Sequence, residues 1–378
     1  MNFDLDTEQD LLRKTVRDLL ADAYDVESRN NAAESELGWS RGVWKQLAEL
    51  GVLGLPFPEK HGGMGAGPVE VMAVMTEIGA ALAPEPVLSA VYLPGGLVAD
   101  VGSDDQRDEF LPRLSEGALL MAFAHDEPGI RWPSKAVTTT AARDGDQWRL
   151  TGRKNPVLHG ECAQTLIVSA ELPDGGVGLF VVSAEADGLT RTSYRTNDER
   201  RGAQIVLDGV SAVPLGEAAD ASTAIVAAQV RAQAVLCAEA TGAIDRSVRS
   251  TADYLKQRKQ FGVPLSTFQA LTHRAADMYV QYELAASMSL YATMALADGI
   301  IDPVIASRAK LQVGRSARAI GQEAVQMHGG IGVTAEHSIG HYLSRLTAIE
   351  HTLGTMDDHL RVLAAGVGDY GRVEVAGM

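Results

Sequence analysis

RKQFGVPLSTFQ, residues 258–269, interrupts one helical pattern with a tight turn and then lets helix resume. Before it runs the Ala-rich stretch ASTAIVAAQVRAQAVLCAEATGA (221–243), whose small and apolar residues suit a closely packed helix. Helical spacing covers segments near 217–257, 266–299, 302–328 and 336–366. The breaks fall at Gly262, Pro264, Asp302-Pro303 and GGIGV (329–333), where glycine and proline punctuate the chain. Four long helices with short connections predict a four-helix bundle over residues 215–378. Taken alone, RKQFG reads as a helix C-terminus, where basic residues meet the negative end of the helix dipole and glycine closes the last turn.

Upstream, the period of the pattern changes. LLMAFAHDEP (119–128), AVTTTAARDGDQWRLTG (136–152), QTLIVSAEL (164–172), VGLFVVSAE (177–185) and AQIVLDGV (203–210) are short, rich in Val, Thr and Ile, and separated by turn residues. Asp144-Gly145-Asp146 predicts a hairpin turn. Residues 118–214 therefore read as a β domain of roughly 100 residues, the size of a sandwich or small barrel. Residues 1–117 read as mostly helical. Leu11, Leu12, Val16, Leu19 and Leu20 recur at helical spacing behind Asp6 and Thr7, either of which could cap. A second helix spans Val43 to Leu50, GVLGLPFPEKHGGMGAG (51–67) forms a loop, and helix resumes from Pro68 toward Leu114. The fold class expected is multidomain α+β: a helical N-terminal domain, a middle β-sheet domain of orthogonal sheets or barrel-like form, and a C-terminal four-helix bundle.

The chain has 378 residues, 46% of them hydrophobic, and a formal net charge of -16. That field repels phosphate backbones and anionic lipid, and no basic patch opposes it, so neither nucleic acid nor a membrane surface is an expected partner. Cys162 and Cys237 are too far apart for a Cys-x-x-Cys motif, and the histidines at 125, 159, 273, 328, 337 and 341 form no compact ligand spacing. No metal site is expected, and a reducing compartment fits the cysteine usage. The acidic start MNFDLDTEQDLLRK lacks the charge and apolar core of a signal peptide, and no run reaches the length of a membrane span, so the expected location is cytoplasmic.

RKQFGVPLSTFQ, followed by QMHGGIGV (326–333), resembles the acyl-CoA dehydrogenase family, and the order of parts matches over nearly the whole chain. GVLGLPFPEKHGGMG, the DEPG turn at 126–129 and the Leu-Gly-Thr at 353–355 extend the likeness. The resemblance implies an FAD enzyme that oxidises an acyl-CoA thioester and passes electrons to an electron-transferring flavoprotein, with FAD lying across a dimer interface. Arg258 matches an arginine that reaches the flavin phosphates, Phe261 an aromatic packed on the cofactor, and Gln269 a glutamine near the adenine. Gln326, Gly329 and Gly330 match a turn whose amides approach the ADP moiety; Gln260 and Thr355 join the expected cofactor set.

The family's chemistry takes an α-proton with a carboxylate while the β-hydrogen leaves as hydride to flavin N5. Where the resemblance places that glutamate, before Gly354-Thr355, stands Leu353. An alternative position on the first bundle helix aligns with Ala232, beside Arg231. Glu239, two turns on, is the nearby carboxylate, to be weighed as a base or as an ion-paired helix residue; Asp357 and Asp358 read as charges at the start of the last helix. HDEPGIRWPSKA (125–136) keeps Glu127, Pro128 and Gly129 but loses the family's Gly-Ser-Asp. Pro156, Val157, Leu158 and His159 stand in place of a Trp-Ile-Thr-Asn that covers the flavin ring.

Residues that would serve a neighbour's FAD are thus retained, and those that would serve the chain's own flavin ring are changed. That asymmetry resembles the β subunits of α2β2 acyl-CoA dehydrogenases of actinobacterial steroid side-chain degradation. Three readings follow: such a β subunit paired with a related α subunit; a self-sufficient homo-oligomeric flavoenzyme with Glu239 as base; and a flavin-free structural or regulatory paralogue.

Overall fold

The computed structural model describes residues 5–133, 137–145 and 147–369; Asp146 of the expected hairpin turn lies outside them. The N-terminal helices are α1 (Thr7–Ala23), α2 (Val26–Glu34), α3 (Arg41–Glu49), α4 (Pro68–Ala81), α5 (Leu93–Val101) and α6 (Asp104–Ser115). Of the two cap candidates Asp6 is the one used. Its carboxylate accepts from the Gln9 amide at 2.8 Å while the Gln9 side chain accepts from the Asp6 amide at 3.0 Å, the reciprocal pair that satisfies two orphan donors. Val16, Leu20, Trp44, Leu47, Val74, Ile78 and Leu111 bury the inward faces of these helices in one core.

Seven strands follow: β1 (Met121–Ala124), β2 (Thr140–Asp144), β3 (Gln147–Leu158), β4 (Thr165–Glu171), β5 (Val177–Ser183), β6 (Leu189–Arg195) and β7 (Arg201–Pro214). The sheet runs β1-β4-β2-β3-β7-β5, and β5 pairs back onto β4, so the path closes on itself in barrel-like fashion. The expected hairpin forms, with Asp144 opposite Gln147. Strand β6 was not anticipated. Its seven residues, LTRTSYR, are nearly all polar and part-exposed, so they carry no apolar alternation, and pairing along β7 makes the strand.

The C-terminal bundle is built from α7 (Ser222–Gln257), α8 (Gln269–Ala297), α9 (Pro303–His328), α10 (Ser338–His351) and α11 (Met356–Ala365). The segment expected as one helix over 336–366 is two. Leu353 at φ 55° and Gly354 at φ 99° leave the right-handed helical region, and Thr355 starts α11 by accepting from the Asp358 amide at 3.3 Å. Helix α7 joins the bundle to the N-terminal core by backbone contact. A Cβ on Gly79 would lie 1.8 Å from the carbonyl oxygen of Glu239, and one on Gly242 1.8 Å from that of Thr76, so only glycine lets α4 and α7 approach this closely. No helix among the described residues is long and apolar enough to cross a membrane.

Candidate functional site

At one end of the bundle, α7 stops and the chain makes a hairpin, β8 (Lys259–Gln260) against β9 (Val263–Pro264). The two residues between them, Phe261 at φ 53° and Gly262 at φ 83°, both lie in the left-handed region, as a type I′ turn demands. Glycine takes that conformation freely; phenylalanine does not. The strained Phe261 ring is nevertheless 91% exposed, touching Phe268 edge-on at 6.2 Å. Arg258, Gln260 and Gln269 are exposed around it.

The QMHGG turn is drawn to the same corner. Tyr254, in the last turn of α7, stacks on His328 at 4.4 Å and donates its hydroxyl to the His328 carbonyl at 3.2 Å. Gln326, Gly329 and Gly330 are exposed beside this junction, and a Cβ on either glycine would meet nothing within 4 Å. The corner thus offers a guanidinium, three side-chain amides, an aromatic face and bare backbone to solvent. That donor set suits a flat heterocycle joined to phosphates, as at other anion-binding nests.

Thr355 stands apart. It caps α11, and its neighbour Met356 packs on Gly314 of α9, twelve residues or about 18 Å along that helix from Gln326. Around Thr355 the chain closes on itself. Trp132 lies 4.5 Å from His359 between ring centroids, Arg131 ion-pairs with Asp358, and a Cβ on Gly354 would fall 2.5 Å from the Trp132 ring. The loop after the DEPG turn and the Leu-Gly-Thr turn are therefore in direct contact. Glu127, retained in that loop, is an anchor: its carboxylate accepts from Lys154 at 2.7 Å and from the Thr138 and Thr139 hydroxyls at 2.6 Å. Burial opposes its ionisation, but Lys154 and the two threonines hold its pKa down at about 2.

Behind this closure is a cavity of about 340 Å³ lined by residues of all three regions, among them Glu85, Ser89, Leu158, His159, Glu239 and Leu353. Leu353 presents an apolar side chain there, and its carbonyl accepts from Gln233 at 3.0 Å. Glu239 is 1% exposed and bound on both oxygens: Arg345 donates at 2.8 and 2.9 Å and Arg200 at 2.9 Å. Arg345 also reaches Asp198 at 2.7 Å. Burial would raise the pKa of Glu239, yet Arg345 and Arg200 lower it below the ordinary value. A carboxylate so engaged is a poor base, and the geometry matches the ion-paired reading of Glu239. Ala232 is buried and carries no ionisable group.

Seven of the expected site residues, Arg258, Gln260, Phe261, Gln269, Gln326, Gly329 and Gly330, gather at the exposed corner; Thr355 and Glu239 lie elsewhere. Trp132, Arg131, Glu85 and the Arg200–Asp198–Arg345 cluster were not singled out from the sequence. The one available signal was the loss of the family's Gly-Ser-Asp from HDEPGIRWPSKA, the segment that contains Arg131 and Trp132.

The sequence profile of the acyl-CoA dehydrogenase N-terminal domain matches residues 6–118, and that of the C-terminal domain residues 225–368. Acyl-CoA dehydrogenase FadE12 of Mycobacterium tuberculosis is 32% identical over 351 residues, covering 88% of each chain. Among solved structures, a variant of the Tcur3481-Tcur3483 steroid ACAD superposes with TM-score 0.88 at 32% identity, covering 96% of this chain and 98% of that one. The ChsE4-ChsE5 complex from M. tuberculosis superposes with TM-score 0.90 at 25% identity, covering 98% and 100%. With that identity extending over most of its length, this chain belongs to the acyl-CoA dehydrogenase family.

Proposed function

We propose that this chain is the β subunit of a two-component, FAD-dependent acyl-CoA dehydrogenase of α2β2 form, completing FAD sites that a related α subunit carries. FAD is the cofactor of the family's reaction, and when bound it supplies the hydride acceptor for α,β-dehydrogenation of an acyl-CoA thioester. The two halves of the site fit it unequally. The corner is exposed and its glycines are open, which suits the pyrophosphate and adenosine of a cofactor seated in a neighbour. The half that the resemblance assigns to the chain's own flavin fits it less well: Leu158 and His159 stand where the family covers the ring, and Trp132 packs between the DEPG loop and the Leu-Gly-Thr turn, against Gly354 and His359. That contact is the observation that carries the reading.

In this role Arg258 binds phosphate oxygens with a multi-donor charge. Gln269 and Gln326 hold the adenosine end, the amides of Gly329 and Gly330 approach it, and Phe261 covers it from solvent. The α-proton is taken by a base on the partner, since Leu353 cannot accept one and Glu239 is committed to two arginines. Two of the structural relatives, the Tcur3481-Tcur3483 steroid ACAD and the ChsE4-ChsE5 complex, pair two differently named chains, and the first is a steroid enzyme, which favours a bulky acyl group. An electron-transferring flavoprotein is the proposed electron acceptor.

The test is visible flavin absorbance per chain, for the protein alone and after mixing with a candidate α subunit. Little flavin alone and about one FAD per αβ pair after mixing is the expected result. Near-stoichiometric flavin in the chain alone would overturn the reading in favour of a self-sufficient enzyme. No flavin in either case, with a stable complex, would favour the flavin-free paralogue.

A further inference from the structure

The internal cavity has an end that no part of the flavin chemistry uses. It runs from the exposed His351 and half-buried Leu353 to Glu85, which is 2% exposed. Along the way its walls include Leu88, Leu93, Leu158 and Leu236, side chains that suit a hydrocarbon. At about 340 Å³ it falls in the range of small-molecule sites.

The carboxyl of Glu85 is held on one side only. Oε1 accepts from the Tyr24 hydroxyl and from the Ser40 amide at 3.2 Å. Oε2 is buried and has no hydrogen-bond partner among the described residues. An unpaired polar atom in an apolar surround is costly, and the oxygen left over is on a residue that lines the cavity. Burial drives the pKa of Glu85 up, against the lowering effects of Tyr24, Ser40 and Arg200, which favours the neutral carboxyl, and its unpartnered buried oxygen is then free to donate. The neighbouring polar pair, Ser89 and His159, is already joined at 2.8 Å, and Arg200 is taken up by Glu239 and the Ala83 carbonyl.

We propose that this cavity binds an acyl group whose far end carries a neutral oxygen acceptor, a ketone or hydroxyl, received by the Glu85 carboxyl. The ligand class is an acyl thioester with an oxygenated tail, in preference to a plain fatty acyl chain. The inference rests on the family reading for the thioester, and on the β-subunit reading only for the expectation that such a ligand is bound here without being oxidised.

The test uses the full-length chain and straight-chain acyl-CoA thioesters of increasing length, each paired with an analogue ending in a methyl ketone, titrated calorimetrically. At the length that reaches Glu85, the ketone binds about tenfold tighter or more, the order of one buried hydrogen bond gained rather than left unmade. Glu85→Gln, which can still donate, keeps the preference; Glu85→Met erases it. The comparison of probes on the wild-type chain needs no variant, so a Glu85→Met chain that failed to fold would leave the test intact. No preference at any length, no binding of any probe, or a preference that survives Glu85→Met overturns the proposal. Flavin content measured on the same samples tests the β-subunit reading separately: a ketone preference in a chain that holds its own flavin would sink that reading and leave this one standing.

Discussion

Phe261 and Trp132 are two aromatic side chains on loops, and the fold treats them in opposite ways. Phe261 is 91% exposed on a strained turn and touches one ring of its own chain. Trp132 is drawn inward against Gly354 and His359, with Arg131 tied to Asp358 beside it. A side chain that endures strain to remain in solvent is placed for contact with something outside the chain. One that fills an interior gap excludes whatever else would enter. On the proposed reading, the chain offers one half of a site to a neighbour while closing the other half to itself, and the difference teaches that the two halves answer to different forces.

The closed half is held by charge. Replacing Arg345 by Met leaves Glu239 and Asp198 buried with Arg200 as their remaining cation, and breaking a buried ion pair from one side costs about 3–5 kcal/mol. Urea denaturation at neutral pH measures it. The pH dependence sharpens the point. Asp198 is held at about 2 and Glu239 is lowered, in both cases by Arg345 and Arg200 acting against burial. Depressed folded pKa values mean that this stabilisation is complete above the unfolded carboxylate pKa of about 4 and is lost as pH falls toward about 2. In the Arg345→Met chain the carboxylates have lost the partner that kept them ionised, so the gap between wild type and variant narrows by about 1–2 kcal/mol between neutral pH and pH 3. A gap constant with pH would mean that Arg345 acts by packing alone.

Glycine substitution separates the halves more directly. Gly242→Ala sets a methyl against the Thr76 carbonyl, 1.8 Å away. Backbone cannot yield as a side-chain tip can, so a loss of about 1–3 kcal/mol is expected in the same denaturation assay. Gly330→Ala points its methyl into open space and changes stability by less than about 0.5 kcal/mol, yet it crowds the corner and lowers FAD retention by the two-chain complex. If Gly330→Ala left flavin retention unchanged while Gly242→Ala abolished it, the open corner would not be where the cofactor is held.

What was readable beforehand follows the same division. Periodicity revealed the three-part order because helix and strand faces repeat, and the corner was legible because its signals are local: a basic helix end, a glycine turn, a glutamine at fixed spacing. The segment holding Arg131 and Trp132 could be seen to lose the family's Gly-Ser-Asp, but not that these two side chains would cross to the 353–359 segment, since nothing in local sequence encodes a partner more than 200 positions away. Glu239 carried two readings for the same reason. The arginine that decides between them, Arg345, is on another helix. The break in the last helix hinges on Leu353 at φ 55°, a conformation that leucine does not advertise, and β6 owes its existence to β7 rather than to its own pattern.

The smallest predicted change in stability tests the exposed half most selectively. Asparagine tolerates the left-handed region far better than phenylalanine, and at 91% exposure the Phe261 ring contributes little burial that could be lost. Phe261→Asn should therefore leave the chain as stable as wild type or about 0.5 kcal/mol more so, read as an equal or slightly higher urea midpoint. If the ring covers a neighbour's cofactor, the same change removes an aromatic contact across the interface, and FAD dissociates from the two-chain complex roughly tenfold more readily. Stability held or gained with flavin lost is the signature of strain kept for a partner's benefit. A chain that is destabilised and keeps its flavin would instead mean that Phe261 works inside its own fold, through Phe268, and the contrast with Trp132 would collapse.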